Sequence, residues 1–596
     1  MRTLMTGDEA IARGAYEAGV VFAAAYPGTP STEILENLAH YPEIYSEWSP
    51  NEKVALEGAI GASIAGGRAI ASMKHVGLNV AADPLFTFAY TGVNGGTVII
   101  TADEPGQYSS QNEQDNRNYA KAAKIPMLEP SDSQECLDMT KLAFDISEQF
   151  DTPVLIRMTT RVCHSKSPVI TGERPEVTLK PYERKGNKYV CVPAVAKKLR
   201  VNIESRTAKL KEFSEKCIYN KAEYNAESNI GVISSGISYY YAKEVFGSGV
   251  SHLKLAMTWP LSLDLIKDFC DRMEKIYIIE ENDPYLEEAV RALGFKPLGK
   301  DIFPPYDEMT PDTIRKSLFG ETLPTISADT EVVINRPPTL CAGCPHRGFF
   351  YEIAKRKNVM ISGDIGCYTL GMAPPYNAMD STICMGASLS IGHGAQRVFD
   401  MTDRGTRVVS VLGDSTFFHT GMNSLLNVAY NQSNTINVIL DNRITGMTGH
   451  QDNPGSGYTA SGESAPMIKI EDVAKAFGFR NIRVVNPNDL QQVSDVLDEL
   501  LALDEPSVLI TRWPCALKKF SPEDKMEFAG AYTDKFAVDQ DTCIGCKLCM
   551  KAGCPALSFD TKAKKAAISR TQCLGCSVCA QVCPKDAIKK EVRQNG

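Results

Sequence analysis

The chain has 596 residues, 43% of them hydrophobic and 23% charged, with a net charge of −9. These values suit a globular protein of on the order of four domains, and the acidic balance argues against nucleic acid as the main partner. No run approaches the ~20 apolar residues that span a bilayer, and the opening MRTLMTGDEAIARG has no signal-peptide core, so a cytoplasmic protein with no membrane contact is expected.

In chain order, residues 1–165 read as an α/β block. Short apolar strands, Gly19–Tyr26 and Thr97–Thr101, alternate with helical stretches such as Lys53–Gly66. Residues 166–228 are polar, with ERKGNK and KAEYNAES, and read as an insertion or linker. A second α/β block, 229–330, opens with IGVISSG (Ile230–Gly236), a strand running into glycine before a helix. The polar, Pro-containing Thr322–Pro338 marks the next boundary. The block 331–530 carries strands at Val408–Leu412 and Ile436–Leu440. In the last block, 537–596, TCIGCKLC recurs as TQCLGCSVC with its cysteines 30 residues further on. Lys589, Lys590 and Arg593 read as a solvated tail.

Eighteen cysteines in a chain of this size, with no signal sequence, point to metal ligation rather than disulfides. Eight of them form two runs, Cys543-x2-Cys546-x2-Cys549-x4-Cys554-Pro and Cys573-x2-Cys576-x2-Cys579-x3-Cys583-Pro. Zinc sites favour two C-x2-C pairs. Triplets followed by Cys-Pro instead match two [4Fe–4S] clusters, with the fourth cysteine of each run ligating the other cluster. One cluster is therefore assigned to Cys543, Cys546, Cys549 and Cys583, and the other to Cys573, Cys576, Cys579 and Cys554. The first run has one residue more before its last cysteine than the bacterial pattern, which makes a wider loop. Cys136, Cys163, Cys191, Cys217, Cys270 and Cys384 show no ligand spacing and are expected in cores.

Gly413-Asp414-Ser415, followed after 25 residues by Asp441-Asn442, resembles the GDG…NN motif of thiamine diphosphate enzymes. A strand ending at Gly413 lets backbone approach a diphosphate, and the helix that follows presents an anion-binding end. Asp414 and Asn442 offer hard oxygens for Mg²⁺, and by the motif the carbonyl of Ile444 completes the protein's share. Ser415 and Asp441 replace a glycine and an asparagine without removing a ligand. Gly446, in Gly446-Met447-Thr448-Gly449, is expected to shape the diphosphate and substrate pocket. Thiamine chemistry also needs a carboxylate at the aminopyrimidine ring. Glu52, ahead of the small-residue helix Ala55–Gly67, is the first candidate and Glu57 the second. His75, His346, His419 and His450 lie in or near these motifs as possible proton carriers, none of them singled out.

Tyr26-Pro27-Gly28-Thr29-Pro30-Ser31, Met73-Lys74-His75-Val76-Gly77-Leu78-Asn79, Leu340-Cys341-Ala342-Gly343-Cys344-Pro345-His346-Arg347 and GDIGCYTLG (363–371) together resemble the 2-oxoacid:ferredoxin oxidoreductases. With the terminal cysteine module, the chain is most similar to the large (alpha) subunit of indolepyruvate ferredoxin oxidoreductases. The resemblance implies a multidomain α/β fold in which 1–165 binds the pyrimidine and 229–330 is transketolase C-terminal-like. Residues 331–530 would bind thiamine diphosphate and Mg²⁺, and 537–596 would be a 2[4Fe–4S] ferredoxin-like domain. It implies oxidative decarboxylation of aryl pyruvates such as indole-3-pyruvate, with coenzyme A taking the acyl group and electrons leaving through the clusters to ferredoxin. It implies a smaller beta subunit as partner. Thr29 and Arg117 match substrate-contacting positions, and Cys341, Cys344, Cys367 and Cys515 match the slots of a third cluster near the thiamine. Another 2-oxoacid as substrate, or a non-oxidative thiamine decarboxylase, stays open. A pure electron-transfer scaffold is disfavoured by the intact Asp414, Asn442 and Glu52.

Overall fold

The computed structural model describes residues 2–321, 337–402 and 405–591. The boundary expected at Thr322–Pro338 lies almost wholly outside the described residues, and so does Arg593. The chain divides into two compact units, Met1–Ala328 and Asp329–Gly596. Among the described residues no helix is long and apolar enough to cross a membrane.

The first unit is built on a seven-stranded sheet. Its order is Met257–Trp259, Met127–Leu128, Val154–Thr159, Thr97–Asp103, Ala69–Lys74, Phe22–Ala25, Tyr45–Trp48. All neighbours are parallel except the edge strand Met257–Trp259. The inner strands are buried along their whole length, which is why they read as unbroken apolar runs. The strand expected at Gly19–Tyr26 is shorter, because Gly19, at φ 77°, turns the chain out of the helix Gly7–Glu17. A second sheet, ordered Lys275–Ile279, Ile230–Ser234, Ser251–Lys254, Lys221–Glu223, is parallel apart from its last strand.

Residues 166–228 are not a linker. They contain the 22-residue helix Pro193–Ser214, which buries Leu199, Ile203 and Leu210 along one face. Arg206 on the same helix donates to the carbonyls of Ala89 and Asp151 at 2.6 and 2.7 Å. The outward face is rich in Lys and Arg, so average composition hid an amphipathic element.

The second unit holds an all-parallel sheet, Val359–Ser362, Arg407–Gly413, Ile436–Asp441, Ser507–Arg512, Asn481–Val485. The cysteine module adds two small antiparallel ribbons, Phe536–Val538 with Ile588–Lys590 and Leu557–Asp560 with Lys565–Ile568. Lys589 and Lys590 therefore belong to a strand rather than a loose tail, and they pair with Asp539 and Asp534 at 3.2 and 2.7 Å.

Gly575, beside Cys576, has φ 85°, and a Cβ there would lie 1.6 Å from the Asp534 carbonyl. Gly575→Ala combines a left-handed strain of ~1–2 kcal/mol with this backbone clash. It should cost the chain the cluster of the Cys573 set while the Cys543 set keeps its own, read as iron and sulfide per chain after anaerobic purification.

Candidate functional site

In the first unit the expected motifs meet at the carboxyl ends of the parallel strands, where open α/β sheets bind ligands. Thr29 is half-buried in the turn after Phe22–Ala25, Lys74 ends Ala69–Lys74, and Glu52 follows Tyr45–Trp48. Glycines bring them together. A Cβ on Gly28 would lie 3.1 Å from Lys74 Cβ, and one on Gly77 would lie 2.6 Å from Glu52 Cγ. Glu52 is 5% exposed at the first position of the helix Glu52–Ile64, behind Asn51, whose Oδ1 accepts from the Val54 N–H at 3.0 Å. The alternative, Glu57, is exposed and pairs with Lys53, so it does not suit a buried ring contact. His75 is buried, its Nε2 3.1 Å from the Asn112 carbonyl. Burial pulls its pKa down to about 4, which keeps it neutral. Lys74 and Glu104, not singled out from sequence, pair at 3.3 Å at the same edge.

Arg117 does not fit the substrate-binding role. It is wholly buried, with Nη2 2.5 Å from Asp115 and Nη1 2.7 Å from Glu280, and it donates to the Glu281 carbonyl at 2.9 Å. Its guanidinium lies over the Tyr285 ring. With these donors committed, it ties the two sheets of the first unit together instead of facing a ligand. Arg157 works beside it, 2.6 Å from Asp103 and 3.2 Å from Glu129. The fork geometry suits paired carboxylates, and the partners of Arg117 come from residues up to 166 positions away, out of reach of local motif reading.

In the second unit, Asp414 begins the turn after Arg407–Gly413 and is 3% exposed. Asn453 donates to one of its oxygens at 3.1 Å. Burial, then the charge of Asp441, holds the Asp414 carboxyl well above the usual carboxylate range. Such a group suits a bound cation. Asn442 is buried one residue beyond Ile436–Asp441, and its Oδ1 accepts from the Ile444 N–H at 3.2 Å. Its Nδ2 is 3.3 Å from Nε2 of His346, whose pKa burial pulls down to about 4. A Cβ on Gly413 would meet the Tyr368 ring at 2.6 Å, and one on Gly446 would stand 3.7 Å from both Asn442 Nδ2 and Cys367 Sγ. Ser415 accepts from Thr445 Oγ1 at 2.9 Å. The hard oxygens and bare backbone fit a divalent cation and a diphosphate.

Asp441 is not available as a ligand. Its register partner on the next strand, Arg512, holds it at 2.7 Å and is itself held by Glu471 at 2.5 Å. The replacement of asparagine by aspartate is thus matched by an arginine on the neighbouring strand. His419 is buried in the irregular turn Phe417–Gly421, and His450 Nε2 stands 3.7 Å from Cys515 Sγ.

The cysteines gather in three sets. Cys543, Cys546, Cys549 and Cys583 line one small apolar pocket with Val538 and Ile588. Cys576 and Cys579 are raised in pKa chiefly by burial, then by charges of their own set, Cys554 and Cys573. Cys344, Cys367 and Cys515 are raised in the same way, chiefly by burial, with Cys341 among the charges acting on Cys367 and Cys515. Thiols held this close, and destabilised as free thiolates, suit a cationic cluster core. Arg347, fully buried, joins the sets: it donates to the carbonyls of Leu340, Cys341 and Ala552 at 2.7–2.8 Å. Tyr532 donates to the carbonyls of Gly343 and Pro514, beside the third set. Of the cysteines expected in cores, Cys136, Cys163, Cys217 and Cys270 are buried, whereas Cys384 is exposed and Cys191 half-exposed.

Arg117→Leu would leave Asp115 and Glu280 buried without their counter-charge and should cost ~3–5 kcal/mol of stability in denaturant unfolding. Arg512→Leu should destabilise the second unit by a similar mechanism, and Arg512→Leu combined with Asp441→Asn should recover most of the loss.

Residues 13–227 match the family described as pyruvate flavodoxin/ferredoxin oxidoreductase, thiamine diphosphate-binding. Residues 364–511 match the C-terminal TPP-binding domain of thiamine pyrophosphate enzymes, and residues 536–590 match the 4Fe–4S dicluster domain. The chain thus carries thiamine diphosphate-binding domains and a [4Fe–4S] module. It is 41% identical to the indolepyruvate oxidoreductase subunit IorA of Thermococcus kodakarensis, covering 99% of this chain and 97% of the relative. The corresponding subunits of Archaeoglobus fulgidus and Methanothermobacter marburgensis are 40% and 38% identical over the same shares. The shared length, the three domain matches and the gathered site residues lead to one conclusion: the chain belongs to the indolepyruvate oxidoreductase subunit IorA family.

Proposed function

We propose that the chain is the thiamine- and cluster-bearing subunit of an enzyme that oxidatively decarboxylates indole-3-pyruvate and related aryl pyruvates. A smaller beta subunit completes it, and a soluble ferredoxin in the cytoplasm takes the electrons. One aryl pyruvate, one coenzyme A and two oxidised ferredoxins give one aryl acetyl-coenzyme A, one CO₂, one proton and two reduced ferredoxins. The observation that supports this reading most directly is the full-length likeness to relatives named for indolepyruvate, 41% identical across 99% of the chain.

Asp414, Asn442 and the carbonyl of Ile444 would hold Mg²⁺, with Gly413, Ser415 and Gly446 leaving room for the diphosphate. When bound, thiamine diphosphate supplies a nucleophilic carbon and an electron sink for loss of CO₂. Glu52, buried and fixed by its helix start, would hold a proton at the aminopyrimidine nitrogen. Thr29, on the turn packed against Lys74, would touch substrate; the carboxylate contact once sought in Arg117 falls to another group. Buried, neutral His346 would orient the Asn442 amide. The Cys341, Cys344, Cys367 and Cys515 set would carry a third cluster, with Arg347 linking its loop to the ferredoxin module. The proposed domain limits are 1–228 for the pyrimidine side, helix Pro193–Ser214 included, then 229–330, 331–530 and 537–596.

The test is anaerobic purification with the beta partner, followed by benzyl viologen reduction with indolepyruvate, phenylpyruvate or pyruvate, with and without coenzyme A. Reduction that needs indolepyruvate, coenzyme A and thiamine diphosphate is expected. An aldehyde formed without viologen reduction would mean a non-oxidative decarboxylase, and reduction by pyruvate alone would move the substrate class. Glu52→Gln should lower kcat by ~10²–10⁴ with the cluster absorption unchanged. Asp414→Ala should abolish thiamine diphosphate retention. The chain without its beta partner should bind thiamine diphosphate but turn over poorly.

A further inference from the structure

We propose that the first unit carries a divalent-cation site suited to Zn²⁺, formed by Asp8, Glu33 and His164, residues that have no part in the reaction proposed above. One ligand atom from each of the three lies within 4.8 Å of the others. Two carboxylates and a neutral imidazole balance a 2+ charge, and imidazole with carboxylate is a donor set zinc accepts.

Asp8 carries the argument. It is 1% exposed, and neither of its carboxylate oxygens receives an N–H or O–H among the described residues. Nor does it cap its helix, since Thr6 and Glu9 form the capping box at the start of Gly7–Glu17. A buried carboxylate left in this way is costly unless something positive meets it. The charges of Glu33 and Glu9 make matters worse, and the thiol of fully buried Cys163 is a weak donor. Glu33 Oε2 is likewise buried without a hydrogen-bond partner. It stands 3.9 Å from His164 Nε2, too far for a hydrogen bond. Two ligand atoms each ~2.1 Å from a tetrahedral zinc stand roughly 3.4 Å apart, so atoms within 4.8 Å of one another need to draw in by at most ~1.4 Å to share an ion. Cys163, fully buried, touches Asp8 and is not one of the three ligands.

The frame is fixed in advance. Gly7 packs so tightly on Val162 that a Cβ would lie 2.1 Å from its carbonyl oxygen, which locks Asp8 against the segment carrying Cys163 and His164. Glu33 and His164 are about half-exposed, so an ion can enter from solvent over them. Without an ion, the same residues would be a protonated Asp8 under a loose Glu33–His164 contact.

The experiment uses the full chain with its clusters assembled. It is stripped with EDTA, desalted, equilibrated with one equivalent of Zn²⁺ and passed again through gel filtration under anaerobic conditions. Elemental analysis should find one zinc per chain, with iron and sulfide unchanged. Asp8→Asn and His164→Gln should each lower retained zinc at least tenfold at constant iron. His164 is partly exposed, so its variant decides the matter if Asp8→Asn does not fold. No retained zinc in the parent chain, or equal zinc in parent and variants, overturns the proposal and leaves the cluster as a proton-held carboxyl.

Discussion

Asp414 and Asp441 stand at the ends of neighbouring parallel strands, where burial and then the charge of Asp441 raise the cost of ionising Asp414. The second unit resolves this by neutralising only one of them. Arg512, in register with Asp441 on the next strand, pairs with it at 2.7 Å and is anchored in turn by Glu471. Asp414 accepts from the Asn453 amide and pairs with no arginine or lysine among the described residues. The carboxylate at the Gly413 turn is therefore the one left short of positive charge, at the place where backbone is bare enough to meet a diphosphate. A charge-balanced pair at that turn would hold the sheet together just as well and would have no call on a metal.

The same requirement explains how the cysteines are arranged. Twelve thiols in three sets would repel as thiolates, and burial raises the pKa of Cys344, Cys367, Cys515, Cys549, Cys576 and Cys579. The protein sets fixed cations among them: Lys565 at the Cys543 carbonyl and Arg347, whose guanidinium bridges the Cys341–Cys344 loop and the Ala552 carbonyl of the ferredoxin module. The rest of the compensation must come from iron. Folding of this module is then coupled to cluster insertion, since a preformed site gains its stability from the ligand it holds. The positive-φ glycines Gly545 and Gly575, one inside each triplet run, let the backbone wrap closely enough for this.

What was legible in the sequence was whatever is encoded within a few tens of residues. The cysteine runs, the turn at Gly413–Ser415 and the start of the Glu52 helix are local, and the structure puts each on the element expected. Glu52 and Glu57 lie on one helix five residues apart, yet one is buried and the other paired with Lys53 in solvent; only packing against Gly77 separates them. The surroundings of Arg117 are not legible locally, because its partner Glu280 is 163 residues away, just beyond a strand of the second sheet. The helix Pro193–Ser214 was missed because a helix with one apolar stripe and many lysines averages out as polar. The substitution at Asp441 made sense only once Arg512 was found beside it.

Among the buried carboxylates of the two units, two groups contrast. Asp115, Asp103, Glu280 and Asp441 each meet an arginine at 2.7 Å or less, and all four serve to fasten strands or sheets. Asp414 and Asp8 meet none: the first has an amide, the second a thiol. An arginine is a permanent counter-charge that cannot be displaced at ordinary pH, so its presence commits a carboxylate to structure. Elsewhere lysines or backbone N–H groups stand in for it, as the N–H groups of Ile365, Gly386 and Ser388 do at Asp364; at Asp414 and Asp8 the balance is left to a proton or an exchangeable cation. Glycine packing holds both exceptions in place, Gly413 against Tyr368 and Gly7 against Val162. In each case the backbone is brought too close for any other residue, so the carboxylate is positioned before its partner arrives.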